Sequence, residues 1–170
     1  IQRWTTIFTV EVKRKKIVIP LIETEKKGKS IVFTLNSFWQ WITYLFGSWV
    51  DTYKNDIKTA DKIIIDVRNN PGWYVEEAAW ILSYFVPNAE PVITMEQKND
   101  KQTLFSQWTS DIFSGKQLYL LINWGSASAS EILVGTLKEY FPSAKIIWEK
   151  SFGKWSAQTV MWLPNWWSVK

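Results

Sequence analysis

Residues 117–141 read QLYLLINWGSASASEILVGTLKEYF, and three kinds of local structure follow one another along them. Gln117 to Ile122 is a short apolar run of strand length. Gly125 to Ser130 is a turn built only from glycine, alanine and serine. From Ala129 to Phe141, Ile132, Leu133, Thr136, Leu137 and Tyr140 recur at helical spacing, and Pro142 ends the pattern because its ring cannot continue a helix. A strand that passes through a tight turn straight into a helix is a unit of an α/β domain. It also exposes the turn side chains while the backbone N–H groups of the helix start point at whatever anion lies there.

Working outward, β-branched or alternating runs predict strands at Thr5 to Val12, Lys16 to Leu21, Ser30 to Leu35, Lys62 to Val67, Pro91 to Met95, Ala144 to Glu149 and Gln158 to Leu163. A second helix is expected over Val75 to Phe85, with Ala78, Ile81, Leu82 and Phe85 on one face and Glu76 and Glu77 in the first turn, where the helix dipole favours acids. A third belongs somewhere in Ser37 to Ile57. Strand and helix alternate from about residue 30, which predicts an α/β class with a sheet core, and the run Ile63, Ile64, Ile65 suggests a central strand buried on both faces.

The composition narrows the chemistry. The 170 residues are 46% apolar and 21% charged, an ordinary balance for one domain with a real core. There is no cysteine and no histidine, so disulfides, thiolate metal sites and the commonest general base are all excluded. Hydrolysis would have to use Ser or Thr with Lys, or carboxylates. The net charge of +4 comes largely from Lys13 to Lys16 and Lys26 to Lys29, which read as solvated surface because no aromatic residues interleave with them as a nucleic-acid platform requires. Ser30 to Val50 is uncharged and long enough to span a bilayer, but Asn36, Ser37, Gln40, Thr43 and Ser48 argue against that. No secretory signal opens the chain, and both ends read as cuts in a longer protein.

Ser128 has two readings. With Glu131 three residues on it has the spacing of a capping box, so it can cap the helix. It is equally placed to be a nucleophile, which needs a base within hydrogen-bond reach. Without histidine the candidate is a neutral lysine, and lysine, which ordinarily titrates near pH 10.4, must be desolvated or set beside positive charge for that. Lys154, in Ser151-Phe152-Gly153-Lys154 between two expected strands, is a candidate; it also reads as a surface-loop lysine.

Three separated motifs decide between these readings by their order. Asp66-Val67-Arg68-Asn69-Asn70-Pro71-Gly72, then Gly125 to Glu131, then Glu149-Lys150-Ser151-Phe152-Gly153-Lys154 with Gln158 resemble the C-terminal processing, or tail-specific, proteases, from about residue 10 to the end. The resemblance implies a ββα-spiral, crotonase-like α/β core with a mixed sheet. It implies a serine endopeptidase acting on protein or peptide substrates near their C-termini, with no metal or organic cofactor. Ser128 would attack the scissile carbonyl, Lys154 would take and return its proton, and Gln158 would orient the lysine. The N–H groups of Ala129 and of Gly72 or Trp73 would form the oxyanion hole. Residues 1–14 would be the closing strand of a PDZ module, residues 15–170 a catalytic core cut short at its C-terminus, and the location extracytoplasmic. The rival reading is a non-catalytic scaffold or peptide-binding relative; an acyl-CoA enzyme on a related spiral lacks a phosphate-binding signature here.

Thirteen tryptophans stand against seven glycines, a reversal of ordinary usage. Members of the resembled family usually have glycine where this chain has Trp73, Trp148, Trp155 and Trp166, and Trp39, Trp80 and Trp124 also fall where glycine reads naturally. The expectation is a gene that reads UGA as glycine, translated here with UGA as tryptophan. The alternative is a genuinely tryptophan-rich binding surface.

Overall fold

The computed structural model describes residues 2–3, 6–7, 18–98, 100–108, 110–154, 156, 161–162 and 168–169. In chain order the elements are β1 (Gln2–Arg3), β2 (Thr6–Ile7), β3 (Ile22–Lys27), β4 (Ser30–Leu35), α1 (Ile42–Thr52), α2 (Lys54–Thr59), β5 (Lys62–Asp66), α3 (Val75–Leu82), β6 (Pro91–Gln97), β7 (Asp100–Phe105), β8 (Gln117–Ile122), α4 (Ala129–Tyr140), β9 (Lys145–Trp148), β10 (Met161–Trp162) and β11 (Ser168–Val169).

Five of the strands form one mixed sheet in the order β3-β4-β5-β8-β9. β3 and β4 are an antiparallel hairpin; β4, β5, β8 and β9 run parallel. The order never reverses, so crossovers of the usual right hand would carry α1, α3 and α4 over the same face. Accordingly α1 packs on α3 and α3 on α4. Register aligns side chains in rows across this face. Ile31, Ile63 and Leu118 form one, Phe33, Ile65 and Leu120 the next, all buried beneath the helices with Phe46, Ile81, Leu82 and Leu133. The antiparallel pair β6 and β7 packs on α3 and α4.

Three expectations need correction. The segment Val18 to Leu21 is not a strand; the strand begins at Ile22, and Val18 and Ile19 are exposed. The strand was hidden because ETEKK carries no apolar alternation. β3 lies at a sheet edge, so ladder bonds to β4 hold it while its charged side chains stay in water. The central strand β5 is not buried evenly on both faces, since Ile64 is half-buried where Ile63 and Ile65 are fully buried. On that second face Lys62 and Lys145 flank the Tyr119 ring, 5.8 and 5.7 Å from its centroid. The region 37–57 holds two helices rather than one, joined at Tyr53.

The lysines at 26–29 behave as solvated surface: Lys26 pairs with Asp56 at 2.6 Å, Lys27 with Glu25 at 3.0 Å and Lys29 with Asp61 at 3.3 Å. Among the described residues no helix is long and apolar enough to cross a membrane. The proposed closing strand over residues 1–14 lies outside the described residues apart from β1 and β2, which pair antiparallel. Of the strand expected at Gln158 to Leu163, only Met161 and Trp162 are described, and they pair with β11.

Candidate active site

Parallel neighbours end at the same edge of a sheet, and α/β proteins place ligands at the carboxyl ends of such strands. Here four chain segments meet at that edge: the residues after β4, the turn 67–74 after β5, the turn 123–128 after β8 and the loop 149–154 after β9. The middle two are joined by a dense set of bonds. The Asn69 N–H donates to Asn123 Oδ1 at 2.8 Å and Asn123 Nδ2 donates to Asn69 Oδ1 at 3.0 Å. Ser126 Oγ donates to the Val67 carbonyl at 2.7 Å, and the Asn70 carbonyl accepts from the Ala127 N–H at 3.1 Å and from Ser130 Oγ at 2.9 Å.

Asn70 is fully buried and ties in a further segment, donating from Nδ2 to the Leu35 carbonyl at 2.8 Å and accepting the Gly72 N–H on Oδ1 at 2.9 Å. The start of the same turn is held by Asp66, whose buried carboxylate is forked by Arg68: Nε reaches Oδ1 at 2.9 Å and Nη2 reaches Oδ2 at 2.6 Å. The hydrogen bond to Asp66, reinforced by its negative charge, raises the Arg68 pKa above the usual arginine value.

Ser128 sits at the head of α4 with φ 56° and ψ −119°. A capping residue ordinarily takes β-region angles; this conformation is sparsely populated by any residue with a side chain and costs about 1–3 kcal/mol. The capping box suggested by the spacing is present, with the Ser128 N–H donating to Glu131 Oε2 at 2.8 Å. Capping therefore accounts for the pair and leaves the strained turn unexplained. Strain of this kind gathers at functional sites, where surrounding contacts enforce it. Here those contacts are the Asn70 bonds on either side of Ser128.

Glu131 does more than the box requires. The same Oε2 that accepts the Ser128 N–H also accepts the Lys154 N–H at 2.9 Å, while Oε1 accepts the Gly153 N–H at 2.7 Å and Ser151 Oγ at 2.7 Å. The carboxylate is 5% exposed, and among the described residues no cation pairs with it, so its charge is met by four hydrogen bonds and the α4 N-terminus. One oxygen atom thereby joins the peptide of Ser128 to that of Lys154. The loop is further fastened by the Phe152 N–H on the Ser126 carbonyl at 3.1 Å, and both Ser128 and Lys154 are half-buried. Gln158 lies outside the described residues.

Gly72 lies hard against the serine turn. With φ +93°, a Cβ there would meet the Ala127 carbonyl at 2.6 Å, Ser128 Cβ at 2.9 Å and the Ala129 nitrogen at 3.0 Å. Of the three N–H groups expected to point at an oxyanion, that of Gly72 is occupied by Asn70 Oδ1. Among the described residues those of Trp73 and Ala129 have no hydrogen-bond partner. Trp73 itself has φ 117°, in glycine's territory, and its indole is 59% exposed, edge-on to Trp39 at 5.0 Å. Trp41 likewise has φ 76° and is 73% exposed. Every tryptophan whose side chain is described is exposed or half-buried, whereas tryptophan is on average a well-buried residue.

Sequence reasoning singled out Ser128, Lys154, Gly72 and Ala129 but gave Glu131 only a capping role and Asn70 only a place in a motif. A local signal for the Glu131 clamp exists in the box spacing; its reach to residues 151–154 has none.

The chain is similar to known proteins over most of its length. CtpA-like serine proteases of Staphylococcus aureus are 34% identical over 163 residues, covering 94% of this chain and 32% of theirs. That of Staphylococcus saprophyticus is 34% identical over 161 residues with the same coverage. The chain thus spans about a third of the length of these relatives. Among solved structures, the photosystem II D1 C-terminal processing protease superposes with a TM-score of 0.72 at 24% identity, covering 89% of this chain and 42% of that one. A lipoprotein from Streptococcus agalactiae superposes with a TM-score of 0.64 at 14% identity, covering 86% and 55%. A family profile matches residues 32–170, which contain all four meeting segments, and the chain belongs to peptidase family S41.

Proposed function

We propose that this chain carries the catalytic core of a serine endopeptidase that cleaves protein substrates near their C-termini with Ser128 as nucleophile and Lys154 as general base. The observation that carries the reading is the sharing of Glu131 Oε2 by the Ser128 and Lys154 N–H groups. It supports a lysine whose loop is built onto the nucleophile's own turn, which a scaffold has no use for.

In this reading Ser128 Oγ forms a bond to the scissile carbonyl carbon as its proton passes to Lys154 Nζ. The carbonyl oxygen gains negative charge and is met by the Trp73 and Ala129 N–H groups. The C–N bond then breaks, Lys154 returns the proton to the leaving amine, and the acyl group remains on Ser128. Water, deprotonated by Lys154, repeats the sequence and releases the acid. Losing one oxyanion donor typically costs about 3–4 kcal/mol of transition-state stabilisation. The wedged glycine at position 72 is suited to hold such a turn still. Gln158 keeps its role of orienting the lysine.

The ββα-spiral, crotonase-like description fits the one-directional sheet order. The PDZ remnant at residues 1–14 and the extracytoplasmic location rest on family resemblance. The glycine-recoding reading gains support from Trp41 and Trp73, which occupy backbone angles that only glycine adopts without strain. Incubation of the full-length protein with an unstructured peptide tests the whole. Turnover lost in both Ser128→Ala and Lys154→Ala is the expected result; tight binding without cleavage in the parent would favour the scaffold.

A further inference from the structure

We propose that Glu77 is a positioning residue for the oxyanion-binding turn, fixing the direction in which the Trp73 N–H faces the reacting carbonyl. The inference rests on the reading of Ser128 as nucleophile and adds a residue that the three motifs do not contain.

The geometry runs through one peptide plane. A trans peptide holds its C=O and its N–H in opposite directions, and among the described residues no peptide is cis. The Gly72 carbonyl accepts the Phe38 N–H at 2.8 Å, so the Trp73 N–H of the same plane is turned away from Phe38. The Tyr74 N–H returns to the Phe38 carbonyl at 3.0 Å, which closes a parallel bridge around Trp73. The aim of the Trp73 N–H is therefore set by where the Phe38 backbone sits.

Phe38 is itself held from both sides. Its ring is fully buried, and the chain beyond it turns through Trp41 into α1. The start of α1 has no side-chain cap of its own, since its N-cap residue is Trp41. Glu77 supplies the cap from another helix. Oε1 accepts the Trp41 N–H at 2.9 Å, and Oε2 accepts the Thr43 N–H at 3.0 Å and Thr43 Oγ1 at 2.5 Å. Glu77 stands in the first turn of α3, which starts two residues after Trp73, so a closed circuit runs from Trp73 to Phe38, to Trp41, to Glu77 and back. The side chain is 6% exposed, and among the described residues it forms no ion pair. A carboxylate presents acceptors on both oxygens to three donors. Glutamine presents one oxygen and turns an NH₂ group against a donor on the other side.

The experiment uses the full-length protein with an unstructured peptide substrate, a peptide boronate of the same sequence that forms a tetrahedral adduct on Ser128, and an uncleavable form of the peptide. For Glu77→Gln the expected result is a kcat lowered about 10- to 100-fold, less than the loss of a whole oxyanion donor. KM should stay within about threefold. Boronate affinity should fall in step with kcat/KM, and affinity for the uncleavable peptide should not change. Thr43→Val, which keeps both N–H bonds to Glu77, should show the same pattern at about two- to fivefold, and it serves where Glu77→Gln does not fold. Parental kcat and boronate affinity in both variants would overturn the proposal. So would equal losses for the boronate and the uncleavable peptide, which mark general loosening. A parent that neither turns over nor takes the boronate overturns the Ser128 reading itself, and the role of Glu77 with it.

Discussion

Two helices of this molecule begin with a buried glutamate that grips a distant loop, and the two grips differ in what they reach. Glu131 in α4 holds residues 151–154 and touches the Ser128 peptide; Glu77 in α3 holds residues 41–43 and reaches the turn at Trp73 through Phe38 and Gly72. Both carboxylates lack a cation among the described residues and are satisfied by backbone N–H groups and one hydroxyl each. The sheet edge supplies proximity, while carboxylates working as multi-point acceptors hold the turns and loops that meet there. Hydrogen bonds to charged groups are worth about 1.5–3 kcal/mol each, enough to enforce the strained backbone at Ser128.

The comparison can be broken at several points. The largest effect is expected at the proposed nucleophile and base: Ser128→Ala and Lys154→Ala should each reduce peptide turnover at least about 10³-fold, measured by chromatography of the cleavage products.

Next is Glu131→Gln. It removes acceptor capacity from the atoms joining Ser128 to Lys154 and should cost about 10²-fold in kcat, with about 2–3 kcal/mol of unfolding free energy from the unpaired buried donors. Glu77→Gln follows at about 10- to 100-fold, with the loss appearing in kcat and in boronate affinity together. Gly72→Ala should fall between them, because its Cβ would press on the Ala127 carbonyl and Ser128 at positive φ; a loss of about 2 kcal/mol or more in stability is expected from thermal melting. The smallest effect, and of opposite sign, is Trp73→Gly. Relief of φ 117° should raise stability by about 1–2 kcal/mol and raise kcat/KM, and a lower melting temperature would favour a genuine tryptophan there.

How far the sequence could reveal this depended on the range of each interaction. The strand, small-residue turn and helix at 117–140 were legible because each is coded by neighbours, and α4 ends at Tyr140, just before Pro142. The spacing of Ser128 and Glu131 announced a capping box, which is a contact within one turn of helix. β3 escaped because an edge strand made of ETEKK is stabilised by ladder bonds rather than by apolar pattern. β7 escaped in the same way, being largely polar and paired, among the described residues, with β6 alone. Glu77 was readable as a first-turn acid but not as the cap of α1, since its partners lie 34 and 36 residues earlier and nothing local encodes that meeting. Resemblance to a family named Ser128, Lys154, Gly72, Trp73 and Ala129. Only geometry separated the occupied N–H of Gly72 from the unpartnered ones of Trp73 and Ala129.

The central claim is a covalent one, and acid quenching of the full-length protein during turnover of a peptide ester, followed by mass spectrometry of its fragments, tests it most directly. The account predicts an acyl adduct on the fragment containing Ser128, absent in Ser128→Ala and slow to form in Lys154→Ala. An adduct on any other residue, or undiminished turnover in Ser128→Ala, would contradict it.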